Sequence, residues 1–281
     1  MVRPKGPFTR AVQKPGATGL ASFPLRFPDC RAKAHSLMQD LSRPSSAPVP
    51  APHPANPARA LRFHAVGFDL DGTLLETAPD IANALNHALR MAGRPTIAFE
   101  QVRPMIGGGA KRLLAKALAG DGKERVPAET LDPLYAELLS HYEANIAVET
   151  KAYDGLMPAL DQLAEAGIAV GVATNKLESL ARHLLDQMGM LDRFACVIGG
   201  DTLGTQNAKP KPDMLFELQR QCGGGPAAFV GDSIYDTGAA RAAGHPCVAV
   251  SFGYRTQPVT ELGADAVIDH FDELIPALSM L

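Results

Sequence analysis

Phe68-Asp69-Leu70-Asp71-Gly72-Thr73-Leu74 ends an apolar, strand-like run that starts at residue 64. On an extended chain, residues i and i+2 point to the same side, so this spacing predicts that Asp69 and Asp71 face one substrate together. Of two carboxylates placed this way, one can attack and the other can move a proton. Gly72 lets the chain turn sharply just beyond them. Taken alone, an Asp-Gly step after a buried strand is a turn. Three further polar clusters downstream argue for more than that.

Strand-like and helical runs alternate from residue 64 onward. Short apolar runs fall at 64–68, 168–173, 194–198, 227–230, 247–252 and 266–268. Helical periods at 159–166, 179–188, 214–221 and 237–243 stop at Gly167, Gly189, Gly223 and Gly244, the signature of glycine C-caps. The alternation predicts an α/β fold: a doubly wound, Rossmann-like parallel sheet covered by helices on both faces. Ligands of such sheets bind at the carboxyl ends of the strands. One interval departs from the rhythm. Residues 77–150 carry only helical spacing (Ile81, Leu85, Leu89; Leu113, Leu114, Leu118; Leu131, Leu138, Tyr142), which predicts an inserted all-helical cap domain. The α/β core would then comprise 63–76 and 151–281. A helical insert directly after the first acidic strand reads as a lid that excludes water and selects substrate, or as a bundle packed alongside.

Two of the three downstream clusters also follow strands. Thr174-Asn175-Lys176 follows a strand and offers a hydroxyl, an amide and backbone N–H groups suited to phosphate oxygens, though alone it would be a helix N-cap. In Lys209-Pro210-Lys211-Pro212-Asp213, prolines stiffen a loop bearing two ammonium groups. Val230-Gly231-Asp232-Ser233, with Asp236, ends a strand in acids that suit a Mg²⁺ site of oxygen ligands.

Together the clusters supply a nucleophile, an acid/base, phosphate-binding donors, a cation and a hard metal site. In all four motifs, in order, over 65–281, the chain resembles the haloacid dehalogenase superfamily, and its insert resembles the small helical cap of one class. Val102-Arg103-Pro104-Met105-Ile106-Gly107-Gly108-Gly109-Ala110 and Ser251-Phe252-Gly253-Tyr254-Arg255 look like the matching lines of bacterial phosphoglycolate phosphatases. The resemblance implies a Mg²⁺-dependent phosphatase of carbohydrate metabolism that converts 2-phosphoglycolate to glycolate and phosphate through an aspartyl-phosphate. Another sugar-phosphate phosphatase or a phosphomutase on the same scaffold is the alternative.

Carried over residue by residue, the resemblance implies that Asp69 is the nucleophile and Asp71 the acid/base. Thr174 and Lys209 would hold the phosphoryl group, with Asn175 and Thr73 beside them. Asp69, the Asp71 carbonyl and Asp232 would bind the metal. Ser233 would support that site, and Asp236 would support it or position Lys209. Lys211 could exchange roles with Lys209. Relatives often carry a polar residue in the cap turn, whereas this chain has Gly107-Gly108-Gly109. Substrate contact there would come from the bare N–H groups of Gly108 and Gly109 ahead of a helix expected to begin near Ala110, with Lys111 and Arg112 adding charge.

A phospho-receiver or non-catalytic binding module uses similar acids within one small domain. Here Asp69 and Thr174 stand 105 residues apart, and Asp71 adds an acid/base suited to turnover. No GxGxxG follows the first strand, which argues against a nucleotide-binding oxidoreductase.

Composition narrows the partners. A net charge of −3, 6% aromatic residues and no Trp give no footprint for nucleic acid, and no run approaches the length of a membrane span. A small phosphorylated metabolite is the expected partner, for a monomer or homodimer. Cys30, Cys196, Cys222 and Cys247 show no zinc spacing and read as free thiols of a reducing, cytoplasmic setting, with Cys196 and Cys247 in core strands. Residues 1–62 differ from the rest: they hold 11 of the 23 prolines and 10 Lys/Arg against 2 acids. That composition predicts a disordered extension, or a true start at Met38 or later, in preference to a transit peptide.

Overall fold

The computed structural model describes residues 57–120 and 126–281. In chain order the first elements are β1 (Ala65–Phe68), β2 (Leu75–Glu76), α1 (Ala78–Met91), α2 (Phe99–Val102), α3 (Ala110–Ala119), α4 (Ala128–Ala144) and β3 (Lys151–Ala152). There follow α5 (Leu156–Glu165), β4 (Ala169–Ala173), α6 (Glu178–Gln187), β5 (Cys196–Ile198), α7 (Asp213–Gln221) and β6 (Ala227–Gly231). The chain ends with α8 (Ile234–Ala243), β7 (Cys247–Val250), β8 (Ala266–Ile268) and α9 (Leu274–Ser279).

Six strands form one parallel sheet in the order β5-β4-β1-β6-β7-β8. After β1 the chain builds outward through β4 and β5 on one side, then returns to β6 on the other. The carboxyl end of β1 is therefore the switch point at which open α/β sheets bind ligands.

The faces follow from strand alternation. Phe229 and Cys247 point to the side where Leu215 and Leu218 of α7 and Ala239 and Ala240 of α8 form one cluster. Val66, Phe68, Val230 and Val248 point to the other, where they meet α5, α6 and α9. Gly67 and Gly171 face α7, and a Cβ at Gly67 would lie 2.8 Å from the Phe229 ring and one at Gly171 2.9 Å from Cys196 Sγ. The missing side chains let α7 settle on the central strands. Gly167, Gly189, Gly223 and Gly244 have positive φ at the ends of their helices, as the sequence predicted.

Residues 77–150, where described, form helices and a 3-10 turn joined by turns and irregular connections, with no strand. α1 packs on α4 and α3 on α4, burying Leu85, Leu89, Leu114, Leu138 and Tyr142. The stem of this insert is an antiparallel ribbon, Leu75 to Ala152 and Glu76 to Lys151. It went unread because two-residue strands have no period. Buried Asp80 closes the return by accepting from the N–H groups of Glu149 and Thr150 (3.1 and 3.0 Å) and from Thr150 Oγ1 (2.7 Å). At the other end of the chain the packed region starts earlier than 63: Pro57–Ala60 make a 3-10 turn that buries Ala58. The expectations for 1–56, including Cys30, lie outside the described residues.

Candidate active site

β1 stops at Phe68, one residue short of the first acid. The N–H groups of Thr73, Leu74 and Leu75 converge on the Leu70 carbonyl (3.4, 3.0 and 3.1 Å), so residues 69–75 hook back rather than run on as an extended strand. Leu70 is buried as the pivot. Asp69 and Asp71 still line one cavity of about 700 Å³, bounded on the far side by Gly107, Gly108 and Gly109. The turn, and not strand alternation, brings both acids to this cavity.

Asp69 is buried and held on both sides. The Leu70 N–H donates to its Oδ1 (2.7 Å), and Lys209 Nζ lies 3.0 Å from the same oxygen. Burial pushes its carboxyl up to about 6; Lys209 opposes the shift, and Asp236 and Asp71 add to it. Lys209 is itself buried, 2.6 Å from Asp236 Oδ1. Burial disfavours its charge, but Asp236 and then Asp69 more than offset this and hold its pKa above the ordinary lysine value. Lys211 is exposed, so of the two lysines left open by the sequence, Lys209 is the one at the site.

Asp236 is fully committed. Its Oδ2 accepts from the N–H groups of Asp232 and Ser233 (3.2 and 3.0 Å) and from Ser233 Oγ (2.6 Å), a capping box that starts α8. Of the two roles open for Asp236, the geometry favours positioning Lys209. Asp232 accepts from the Tyr254 N–H. Burial raises its carboxyl well above the usual range, and Asp236 and Asp69 raise it further.

Asp69, Asp232 and Asp236 bring oxygens within 4.8 Å of one another. Lys209 contacts two of these acids, and Asp232 has no cation partner among the described residues. Three buried carboxylates against one ammonium leave an excess of negative charge in a low-dielectric corner, which a divalent cation would neutralise. The donors are all oxygens, so the set fits a hard cation.

The remaining predicted residues separate by place. Thr174 is buried at the end of β4, lines the cavity and accepts from the Lys176 N–H (3.3 Å). Asn175 is a bracket: its Nδ2 donates to the Gly107 carbonyl (2.9 Å) of the insert and to the Lys209 carbonyl (3.1 Å). Its Oδ1 is buried without a partner. Thr73 is buried behind the turn and does not line the cavity; its hydroxyl has no partner. α3 does begin at Ala110, with Gly109 at positive φ before it and no side-chain cap. Lys111 is drawn off to Asp132 (2.7 Å), and Arg112 lies over the Tyr235 ring.

Sequence reading passed over three groups. Lys176 offers its backbone in the Thr174-Asn175-Lys176 motif, but its Nζ lies 2.8 Å from Asp71 Oδ1 and 3.0 Å from Oδ2. Thr77 Oγ1 donates to the same carboxylate (2.7 Å). The Tyr254 hydroxyl accepts from the N–H groups of Thr77 and Ala78 (2.7 and 2.9 Å) and donates to Glu76 (2.6 Å). The residue whose backbone holds Asp232 thus also caps the first helix of the insert.

Known proteins resemble this chain in sequence and fold. A protein named phosphoglycolate phosphatase from Agrobacterium fabrum is 39% identical over 213 residues, which cover 75% of this chain and 90% of that one. One of the same name from Caulobacter vibrioides is 40% identical over 208 residues, 73% and 86% of the two chains. Among solved structures, a predicted phosphoglycolate phosphatase from Haemophilus somnus superposes with a TM-score of 0.70 at 27% identity, covering 76% of this chain and 97% of the other. A family model described as haloacid dehalogenase-like hydrolase matches residues 63–244, and the chain belongs to that family of hydrolases.

Proposed function

We propose that the chain is a Mg²⁺-dependent phosphomonoester hydrolase that converts 2-phosphoglycolate to glycolate and phosphate. The observation that carries this reading is a pair of carboxylates on one cavity in two different settings: Asp69 buried against Lys209, and Asp71 bound by a separate cation, Lys176. Carboxylates held in unlike environments suit a division between nucleophile and acid/base. The names of the relatives supply the substrate.

In this reading Asp69 Oδ attacks phosphorus and the P–O ester bond breaks. Asp71 gives its proton to the departing alkoxide. Asp71 then takes a proton from water, whose oxygen attacks the aspartyl-phosphate, releasing phosphate and restoring Asp69. Lys209, fixed by Asp236, faces the phosphoryl oxygens, with Thr174 as a further donor. Asp69, Asp232 and the Asp71 carbonyl would hold Mg²⁺, which when bound neutralises phosphoryl charge. Residues 77–150 act as the cap that excludes water. Among the described residues no helix is long and apolar enough to cross a membrane, and Cys196, Cys222 and Cys247 are free. We read the protein as a cytoplasmic monomer or homodimer acting on a small metabolite.

The test is steady phosphate release in Mg²⁺ from 2-phosphoglycolate, set against sugar phosphates, nucleotides and pyrophosphate. Preference for a sugar phosphate, or isomerisation without phosphate release, would move the enzyme to a sibling activity. Stoichiometric phosphorylation without turnover would make it a receiver.

A further inference from the structure

We propose that Lys176 is the specificity-determining residue that binds the carboxylate of the substrate. The inference rests on the 2-phosphoglycolate reading above and deepens it by naming the group that recognises the acid.

Lys176 lies three residues beyond the end of β4, and its side chain is 7% exposed. Both oxygens of Asp71 take its ammonium (2.8 and 3.0 Å), and the ring centre of Tyr142, from α4, lies 4.6 Å from Nζ. The charge is therefore clasped between the core and the insert, on the wall of the cavity. An ammonium carries three donors; two contacts go to Asp71, the third faces the neutral Tyr142 hydroxyl, and a ligand's charged carboxylate is the stronger acceptor for it.

The leaving group fixes what that ligand is. To protonate the ester oxygen, Asp71 must approach it to within about 3 Å. In 2-phosphoglycolate a single methylene separates the ester oxygen from the carboxylate, so a cation hydrogen-bonded to Asp71 is within reach of that carboxylate. The phosphoryl group occupies the opposite end, where Lys209 is locked between Asp69 and Asp236. The two buried lysines thus divide the substrate, Lys209 taking the phosphoryl end and Lys176 the acid end. The other cations near the cavity fit less well. Lys111 is paired to Asp132, and Arg112 is exposed over Tyr235.

The experiment compares kcat/KM for 2-phosphoglycolate and for ethyl phosphate, an ester without the acid, using the full chain in Mg²⁺. The ratio of the two cancels any difference in the fraction of folded enzyme. Lys176→Met should lower the ratio about 100-fold, the scale of a charge-assisted hydrogen bond, and Lys176→Arg should retain part of it. Arg112→Ala should change it by no more than about threefold. Equal losses on both substrates in Lys176→Met would overturn the inference and leave the lysine as a partner of Asp71 alone. Collapse of the ratio in Arg112→Ala instead would overturn it in favour of the insert. A wild-type ratio near one would remove the 2-phosphoglycolate reading itself, and the inference with it.

Discussion

Beside one end of the cavity Asp69, Lys209, Asp232 and Asp236 are buried and joined to one another, held by residues that follow strands and by Asp236 in the first turn of α8. At the other end Gly107, Gly108 and Gly109 present bare backbone, and the charges beside them, Lys111 and Arg112, are exposed. The chemistry of phosphoryl transfer gains from groups that need not move, whereas an opening that admits substrate gains from few commitments. Among the described residues a single polar side chain, Asn175, bridges the glycine turn to the loop of Lys209.

If the buried end carries the reaction, Asp69→Asn should lower kcat by at least roughly 10³-fold while leaving the fold intact, since it removes the nucleophile and keeps its shape. Phosphate release at the wild-type rate would end the covalent mechanism. Asp71→Asn should slow transfer and trap phosphoenzyme, detectable as acid-stable label.

Next in size is the contrast between ion pairs. Asp236→Asn leaves buried Lys209 short of a partner and should cost about 3 kcal/mol of stability in urea unfolding, with roughly 100-fold lost in kcat/KM. Breaking the exposed Lys111–Asp132 pair by Asp132→Ala should cost under about 1 kcal/mol. Similar costs at both places would erase the distinction between the two ends.

The buried acids also predict a pH effect in chelator. Asp69 has its carboxyl raised to about 6 against an ordinary 3.8, and Asp232 is raised as well. A carboxyl with a raised folded pKa binds its proton more readily in the folded state. Its contribution is therefore fully present below the unfolded value and lost as pH rises through the folded one. Thermal midpoints in chelator should fall by a few degrees between pH 5 and 7, and Asp232→Asn should flatten the slope. A midpoint that rises over that window in the wild type would contradict the electrostatic account of the corner.

A smaller effect is expected at the open end. A Cβ at Gly108 would lie 2.9 Å from Tyr235 Oη and 3.0 Å from Arg112 Cδ, so Gly108→Val should raise KM about tenfold for 2-phosphoglycolate and for an uncharged aryl phosphate alike. A loss confined to 2-phosphoglycolate would return the carboxylate to the N–H groups of the glycine turn. Smallest of all, deleting residues 1–56 should change kcat/KM by less than about twofold. Deletion through 62 should lower the thermal midpoint, because it removes Ala58 from the core.

The α/β class, the six sheet strands and the helix ends at Gly167, Gly189, Gly223 and Gly244 are legible along the chain, because buried apolar runs and left-handed glycines are local signals. The sequence also places Asp69, Asp71, Thr174 and Asp232 at strand ends, since each lies within a few residues of the run that carries it, whereas Lys209 is legible only through its Lys-Pro-x-Pro-Asp frame in a long loop. What these groups touch depends on the assembled sheet. The order β5-β4-β1-β6-β7-β8 sets the loop after β4 beside the turn after β1, which brings Lys176 to Asp71 across 105 residues and Tyr254 to Thr77 across 177. Lys209 over Lys211, Asn175 as a bracket and the β2–β3 ribbon were settled in the same way. A hydrogen bond between distant segments leaves no period in the chain, and its partners are fixed only when the sheet brings their backbones together.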